Sequence, residues 1–231
     1  MRRVKGFTLI ELMVVVAIIG ALIAIMVPTL SRARRQARNV LCTTNQRSLS
    51  QAFNTYVDLI GGQQNLPFRF TLIRFVPDKM LICPETRLVE NPTNMWGSAF
   101  TTWATLQKVY GSYGINQYWG LPWGVSPYAD FYDRRKPINE SMIPAFVDAP
   151  CSAVGPDEAN CIPLKQVYTP PSQLGAMAVR RHGSTTNVAF ADAHVEAVKL
   201  GDLWTLRWKA NWKCTNPYPV PADWDFVMQS P

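Results

Sequence analysis

Gly6-Phe7-Thr8-Leu9-Ile10-Glu11 opens an apolar run that continues to Leu30, and the reading of this run decides the fold. Phe7 to Leu30 contains one charged residue, Glu11. As a helix rising about 1.5 Å per residue, the run reaches roughly 36 Å, enough to cross a hydrocarbon core of about 30 Å with some tilt. Arg2, Arg3 and Lys5 precede it as in a signal peptide, but the run is too long for an h-region and no Ala-x-Ala-like site follows it. The small-residue junction lies ahead of the run, at Gly6-Phe7, where a cut would remove the charges and keep the helix. Residues 7–30 therefore read as a membrane-spanning candidate.

Glu11 sits one helical turn into that span. An ionised side chain costs a few kcal/mol at the membrane centre and is usually paired and functional. If the chain begins at Phe7, the free amine of a neighbouring subunit is a partner that would also set subunit register. On position alone, the alternative is an ordinary anchor with Glu11 near the headgroups. The surrounding residues, Lys5-Gly6-Phe7-Thr8-Leu9-Ile10-Glu11-Leu12, resemble the class III leader of type IV pilins and type II secretion pseudopilins. The resemblance implies cleavage between Gly6 and Phe7 by the prepilin peptidase, N-methylation of Phe7, and Glu11 as the assembly carboxylate. It also puts Pro28 where that family kinks or melts its helix.

The formal charge of +7 suggests nucleic acid, but its distribution argues otherwise. Residues 1–50 hold eight Lys/Arg against one acid, while residues 51–231 hold 15 of each. The globular part has no net attraction for phosphate, so no nucleic-acid partner is expected. Five cysteines are present, at 42, 83, 151, 161 and 214. No C-x-x-C or Cys/His spacing suggests a zinc or haem site, and an exported domain meets oxidising conditions. Disulfides are the better expectation: Cys151 with Cys161, which bracket a short loop, and Cys42 with Cys83, leaving Cys214 odd.

After Pro28 the pattern turns amphipathic. Ala33, Ala37, Val40, Leu41, Thr44, Ser48, Ala52, Phe53 and Tyr56 recur at threes and fours, predicting one apolar helix face that continues to about Tyr56, with Gly61-Gly62 ending the helix. Residues 31–60 are then the spine continuation, and residues 61–231 a β-rich domain of short strands and long aromatic loops. Arg32, Arg34, Arg35 and Arg38 do not decide orientation against Arg2, Arg3 and Lys5. Met142–Val147 reads as a strand that Pro144 would confine to an edge.

Asn187–Phe190 and His194–Val198 alternate around Asp192-Ala193, the pattern of a β-hairpin with a two-residue turn. The run from His182 resembles the H-x9-D-G motif near the C-terminus of a group of pilin-like proteins, with His182 and Asp192 at the named positions. Met80-Leu81-Ile82-Cys83-Pro84 and Ser112-Tyr113-Gly114-Ile115-Asn116 look like the Cys-Pro and Ser-Tyr-Gly-x-Asn stretches of that group. The family glycine is Ala193 here, so the turn is either of another type or strained. His182, Asp192 and His194 could bind a divalent metal, or His182 could hydrogen-bond Asp192 to lock the turn. The reading taken is the structural hydrogen bond, with no metal and no cofactor. Trp204, Trp208 and Trp212 fall at helical spacing if Asp202–Lys213 is helical, and core packing is the first reading of them.

The expected protein is an α+β structural subunit, not an enzyme. A long N-terminal helix packs on a small, mainly antiparallel β domain outside the cytoplasm, anchored in the cytoplasmic membrane by a single pass. Its implied partners are copies of itself in a filament, the prepilin peptidase, the membrane assembly platform, and lipid before assembly. Two rivals are an anchored adhesin or carbohydrate-binding module using Trp/Tyr-rich loops, and a tethered enzyme with His182 and His194 in its site.

Overall fold

Thr8 starts the first helix because its side chain and that of Glu11 satisfy each other's backbone. In the computed structural model the Thr8 N–H donates to Glu11 Oε2 at 2.9 Å, the Thr8 hydroxyl donates to the same oxygen at 2.7 Å, and the Glu11 N–H donates to Thr8 Oγ1 at 3.3 Å. This is a capping box, which removes orphan donors from the helix N-terminus. The structure describes residues 7–59, 76–89, 97, 100–104, 109–116, 139–155, 181–182, 185–209 and 212. It divides into two compact units, Met1–Arg38 and Asn39–Pro231.

Helix α1 spans Leu9–Leu59 and remains helical through Pro28, so the melting implied there by resemblance does not occur. Proline removes one donor from the i→i−4 ladder. The Thr29 hydroxyl, in the next position, donates to the Met26 carbonyl at 2.8 Å. Within the first unit the apolar side chains from Leu9 to Leu30 are exposed around the whole circumference. Among the described residues this is one helix long and apolar enough to cross a membrane. Gly61 and Gly62, expected to end it, lie outside the described residues.

In the second unit, α1 buries Cys42, Gln46, Leu49, Ser50, Phe53 and Tyr56. That stripe is rotated from the expected one: Val40, Leu41 and Thr44 are exposed, while Phe53 and Tyr56 are buried as expected. The displacement has a chemical cause. Ser50 and Gln46 are polar and lie outside the expected apolar face, yet each meets a partner in the interior, Ser50 Oγ the Phe190 carbonyl at 2.7 Å and Gln46 Nε2 the Cys42 sulfur at 4.0 Å. Polar groups enter a core when hydrogen-bonded.

The helix packs on a five-stranded sheet ordered β5-β3-β4-β6-β7, where β3 is Tyr113–Asn116, β4 Pro144–Asp148, β5 Ala153–Val154, β6 Thr185–Phe190 and β7 Val195–Lys199. All neighbours are antiparallel except β3 and β5. A separate pair joins β1, Trp103–Ala104, to β2, Tyr110–Gly111. β4 lies in the middle of the sheet, correcting the expected edge position. Pro144 is tolerated because it occupies the first residue of the strand, and the register shifts between Pro144 and Phe146. Phe53 of α1 meets Phe146 of β4 edge-on, with ring centroids 6.2 Å apart.

The Ser-Tyr-Gly-x-Asn stretch makes up the sheet's tightest part. A Cβ on Gly114 would lie 2.5 Å from Val154 Cγ1, so only glycine admits β5 beside β3. Asn116 Nδ2 donates to the Pro144 carbonyl at 2.8 Å and to the Trp208 carbonyl at 3.0 Å. The tryptophan segment is a 3-10 turn, Leu200–Thr205, followed by extended backbone at Leu206, not the expected α-helix. Trp204 and Trp208 are buried, and Trp208 Nε1 donates to the Leu203 carbonyl at 2.7 Å.

Candidate functional site

The hairpin β6–β7 has a three-residue connection, Ala191–Ala193, instead of the expected two. The Ala193 N–H donates to the Phe190 carbonyl at 2.9 Å and the Phe190 N–H to the His194 carbonyl at 2.9 Å. Ala189 then faces Val195 as the first full pair. Ala193 adopts φ 68°, the left-handed conformation for which glycine is suited. A three-residue loop with a left-handed last residue is a common hairpin closure, and here an L-residue with a Cβ fills that position.

His194 and Asp192 close this turn without His182. Asp192 Oδ1 lies 2.6 Å from His194 Nδ1 and accepts the His194 N–H at 3.1 Å, while the His194 ring stacks on Phe190 at 4.2 Å. The expected hydrogen bond from His182 to Asp192 is replaced by other contacts. His182 Nε2 is 3.4 Å from the Cys83 sulfur and 3.5 Å from Asp148 Oδ2. The three residues that the sequence grouped are thus divided between two places: a half-exposed turn and an interior cluster.

The interior cluster joins four segments. Cys42 comes from α1 and Cys83 from just beyond the 3-10 turn Asp78–Leu81. Asp148 ends β4, and His182 precedes β6. One donor atom from each lies within 4.8 Å of all the others. Cys42, Cys83 and Asp148 are fully buried, and the His182 side chain is 2% exposed. Arg181 is buried too, its Nη1 donating to Asp148 Oδ1 at 3.2 Å and to the Ser112 carbonyl at 2.8 Å. The Asn187 N–H donates to Asp148 Oδ2 at 3.2 Å.

Cys42 and Cys83 stand as free thiols whose sulfurs share this site, so the two residues of the expected pair do meet. Cys161, the expected partner of Cys151, lies outside the described residues, as does Cys214. Hydrogen bonding from Cys42 draws the Cys83 thiol down to about 6 against its burial, with His182 adding to the effect. Burial pushes the Cys42 thiol up, and burial likewise raises the Tyr113 phenol. Burial alone would lower His182, but the bond to Cys83 and the charge of Asp148 hold the imidazole above its ordinary value. The pair of sulfurs therefore favours one thiolate, at Cys83, beside the His182 ring.

At the other end of the chain, Phe7 is exposed immediately before the capping box, and Gly6 lies outside the described residues. Sequence reasoning treated Glu11 only as a carboxylate seeking a partner. The Thr-x-x-Glu spacing that makes it a cap partner of Thr8 was present in the sequence. Trp204 and Trp208 are closed off from any ligand by their burial.

Residues 1–27 match the family described as the prokaryotic N-terminal methylation motif. Over 43 residues the chain is 51% identical to the type IV wide pilus major component PilA4 of Thermus thermophilus. That stretch is 19% of this chain and 33% of the relative, so the match spans about a third of the length of the curated protein. No solved structure matches the chain.

Proposed function

We propose that this chain, a type IV pilin-like protein, is a structural subunit of a type IV pilus-like or type II secretion filament, processed at Gly6-Phe7 and assembled through the first part of α1. The observation that carries the reading is the first unit's exposed apolar circumference behind a methylation motif. Such a surface is satisfied by lipid before assembly and by equivalent helices of other subunits afterwards, at roughly 25 cal/mol per Å² removed from water. The prepilin peptidase would cut one residue ahead of Thr8, so the capping box survives processing and the new N-terminus keeps an ordered first turn. The membrane assembly platform would then receive a single-pass subunit whose second unit lies outside the cytoplasm.

Glu11 has two roles in this scheme: cap partner of Thr8 and charged partner for a neighbour's Phe7 amine. Glu11→Gln separates them, because glutamine also completes a capping box but carries no charge. Both Glu11→Gln and Glu11→Val should insert in the membrane and yield little or no filament, measured as sheared or secreted polymer from cells. Normal polymer from Glu11→Gln would remove the charge from the mechanism. Mass spectrometry of the native N-terminus tests the processing: a methylated Phe7 is expected, and retained Met1 rejects it.

A further inference from the structure

Cys42, Cys83, Asp148 and His182 present two sulfurs, one carboxylate and one imidazole to a common centre inside the second unit. We infer that these four side chains form a structural site for a zinc-class divalent cation, tying α1 to the sheet. Four donor atoms, one from each side chain and all within 4.8 Å of one another, can close on a tetrahedral cation. Bonds of about 2.0–2.3 Å to a central zinc separate the donors by about 3.3–3.8 Å. Whichever Asp148 oxygen is the ligand, two donor pairs already stand at such separations: Cys83 Sγ to His182 Nε2 at 3.4 Å, with either Cys42 Sγ to Asp148 Oδ1 at 3.5 Å or His182 Nε2 to Asp148 Oδ2 at 3.5 Å.

The groups around these donors fit a bound cation. Tyr113 OH donates to the Cys42 sulfur at 3.4 Å and Asn187 Nδ2 at 3.6 Å, with Gln46 Nε2 at 4.0 Å. Donors converging on one buried sulfur suit a metal-bound thiolate, because a neutral thiol or a disulfide sulfur is a weak acceptor. Charge balances as well. A dication held by two thiolates and a carboxylate leaves one negative charge, which the buried Arg181 guanidinium beside Asp148 cancels. Because the ligands come from four separated segments, the site is completed only on folding, and the binding free energy becomes folding free energy.

The test uses the full-length chain, purified in detergent with reductant and without chelators. One zinc per chain is expected by elemental analysis. Replacement by cobalt(II) should give thiolate-to-cobalt charge-transfer absorption and the intense ligand-field bands of a tetrahedral centre. Cys83→Ser and His182→Ala should abolish those bands, and Cys151→Ser should leave them unchanged. Tyr113→Phe should fold, by circular dichroism, and weaken zinc binding about 10- to 100-fold through loss of one donor to the Cys42 sulfur. A folded, reduced wild-type chain that takes up neither zinc nor cobalt overturns the site. So do cobalt bands that persist in Cys83→Ser, or a Cys42–Cys83 disulfide in chain trapped directly from the cell.

Discussion

Residues 9–30 and residues 42–56 belong to the same helix, and they solve opposite problems. In the first stretch, apolar side chains point in every direction and none is covered, with Leu22 57% exposed. In the second, the buried stripe includes Gln46 and Ser50 beside Leu49 and Phe53. Composition would rank the first stretch as core and the second as surface. The difference shows that burial inside the chain follows available partners, while uncovered apolar surface calls for partners outside it.

The largest break in this comparison comes from the buried charge. Arg181 and Asp148 have no exposed side-chain area, so truncating one partner strands the other charge in the interior. Arg181→Met should destabilise the full-length chain by about 3–5 kcal/mol in urea unfolding monitored in detergent. A loss below about 1 kcal/mol would mean that water reaches Asp148. Next comes Leu49→Ala, at a wholly buried position, with an expected cost of about 2–5 kcal/mol by the same measurement. Ser50→Ala should cost about 0.5–1.5 kcal/mol, because one buried hydrogen bond to the Phe190 carbonyl is lost while the Ala193 N–H still donates to that oxygen. A Ser50→Ala variant as stable as wild type would show that the polar members of the stripe are incidental.

How much of this was legible before the structure depended on how far apart the interacting residues lie in the chain. The methylation motif and the long apolar helix were legible because their patterns are local: the motif falls within residues 1–27, and one unbroken apolar run carries the first part of the helix. The hairpin was legible from alternation, but its loop length was not, since one residue more or less leaves the strand pattern almost unchanged. Of the interior cluster, only the meeting of Cys42 with Cys83 was legible. Cys42 meets Asp148 across a separation of 106 residues and Cys83 meets His182 across 99, and no local spacing encodes such contacts. His182 was singled out correctly and given the wrong neighbour, because Asp192 and His194 were closer in sequence. The buried stripe of α1 is rotated by about one position from the expected face, and it admits Ser50 and Gln46 because a carbonyl of the facing sheet receives the one and the Cys42 sulfur, one turn earlier in the same helix, the other.

A smaller effect sharpens the comparison at the hairpin tip that the second stretch supports. Asn54 Nδ2 donates to the Ala191 carbonyl at 2.7 Å, so α1 holds the loop in which Ala193 is left-handed. An L-residue there costs about 1–2 kcal/mol, partly offset in a glycine variant by greater freedom of the unfolded chain. Ala193→Gly should therefore stabilise the chain by about 0.5–1 kcal/mol, seen as a higher urea midpoint with an unchanged slope. A destabilised Ala193→Gly would place the contribution of the largely buried methyl above the backbone strain.

The smallest expected change in stability is also the most direct contrast between the two stretches. Leu22→Ala makes the same chemical change as Leu49→Ala, in the same helix, at an exposed position. No buried core contact is lost, so unfolding of the second unit should shift by less than about 0.5 kcal/mol. If the first stretch is instead satisfied by equivalent helices of other subunits, the missing side chain leaves a void in each copy of that packing. Filament yield should then fall for Leu22→Ala while its urea midpoint stays at the wild-type value. A variant with normal polymer and a lowered midpoint would reverse the assignment, making residues 9–30 part of the chain's own core and leaving the filament to some other surface.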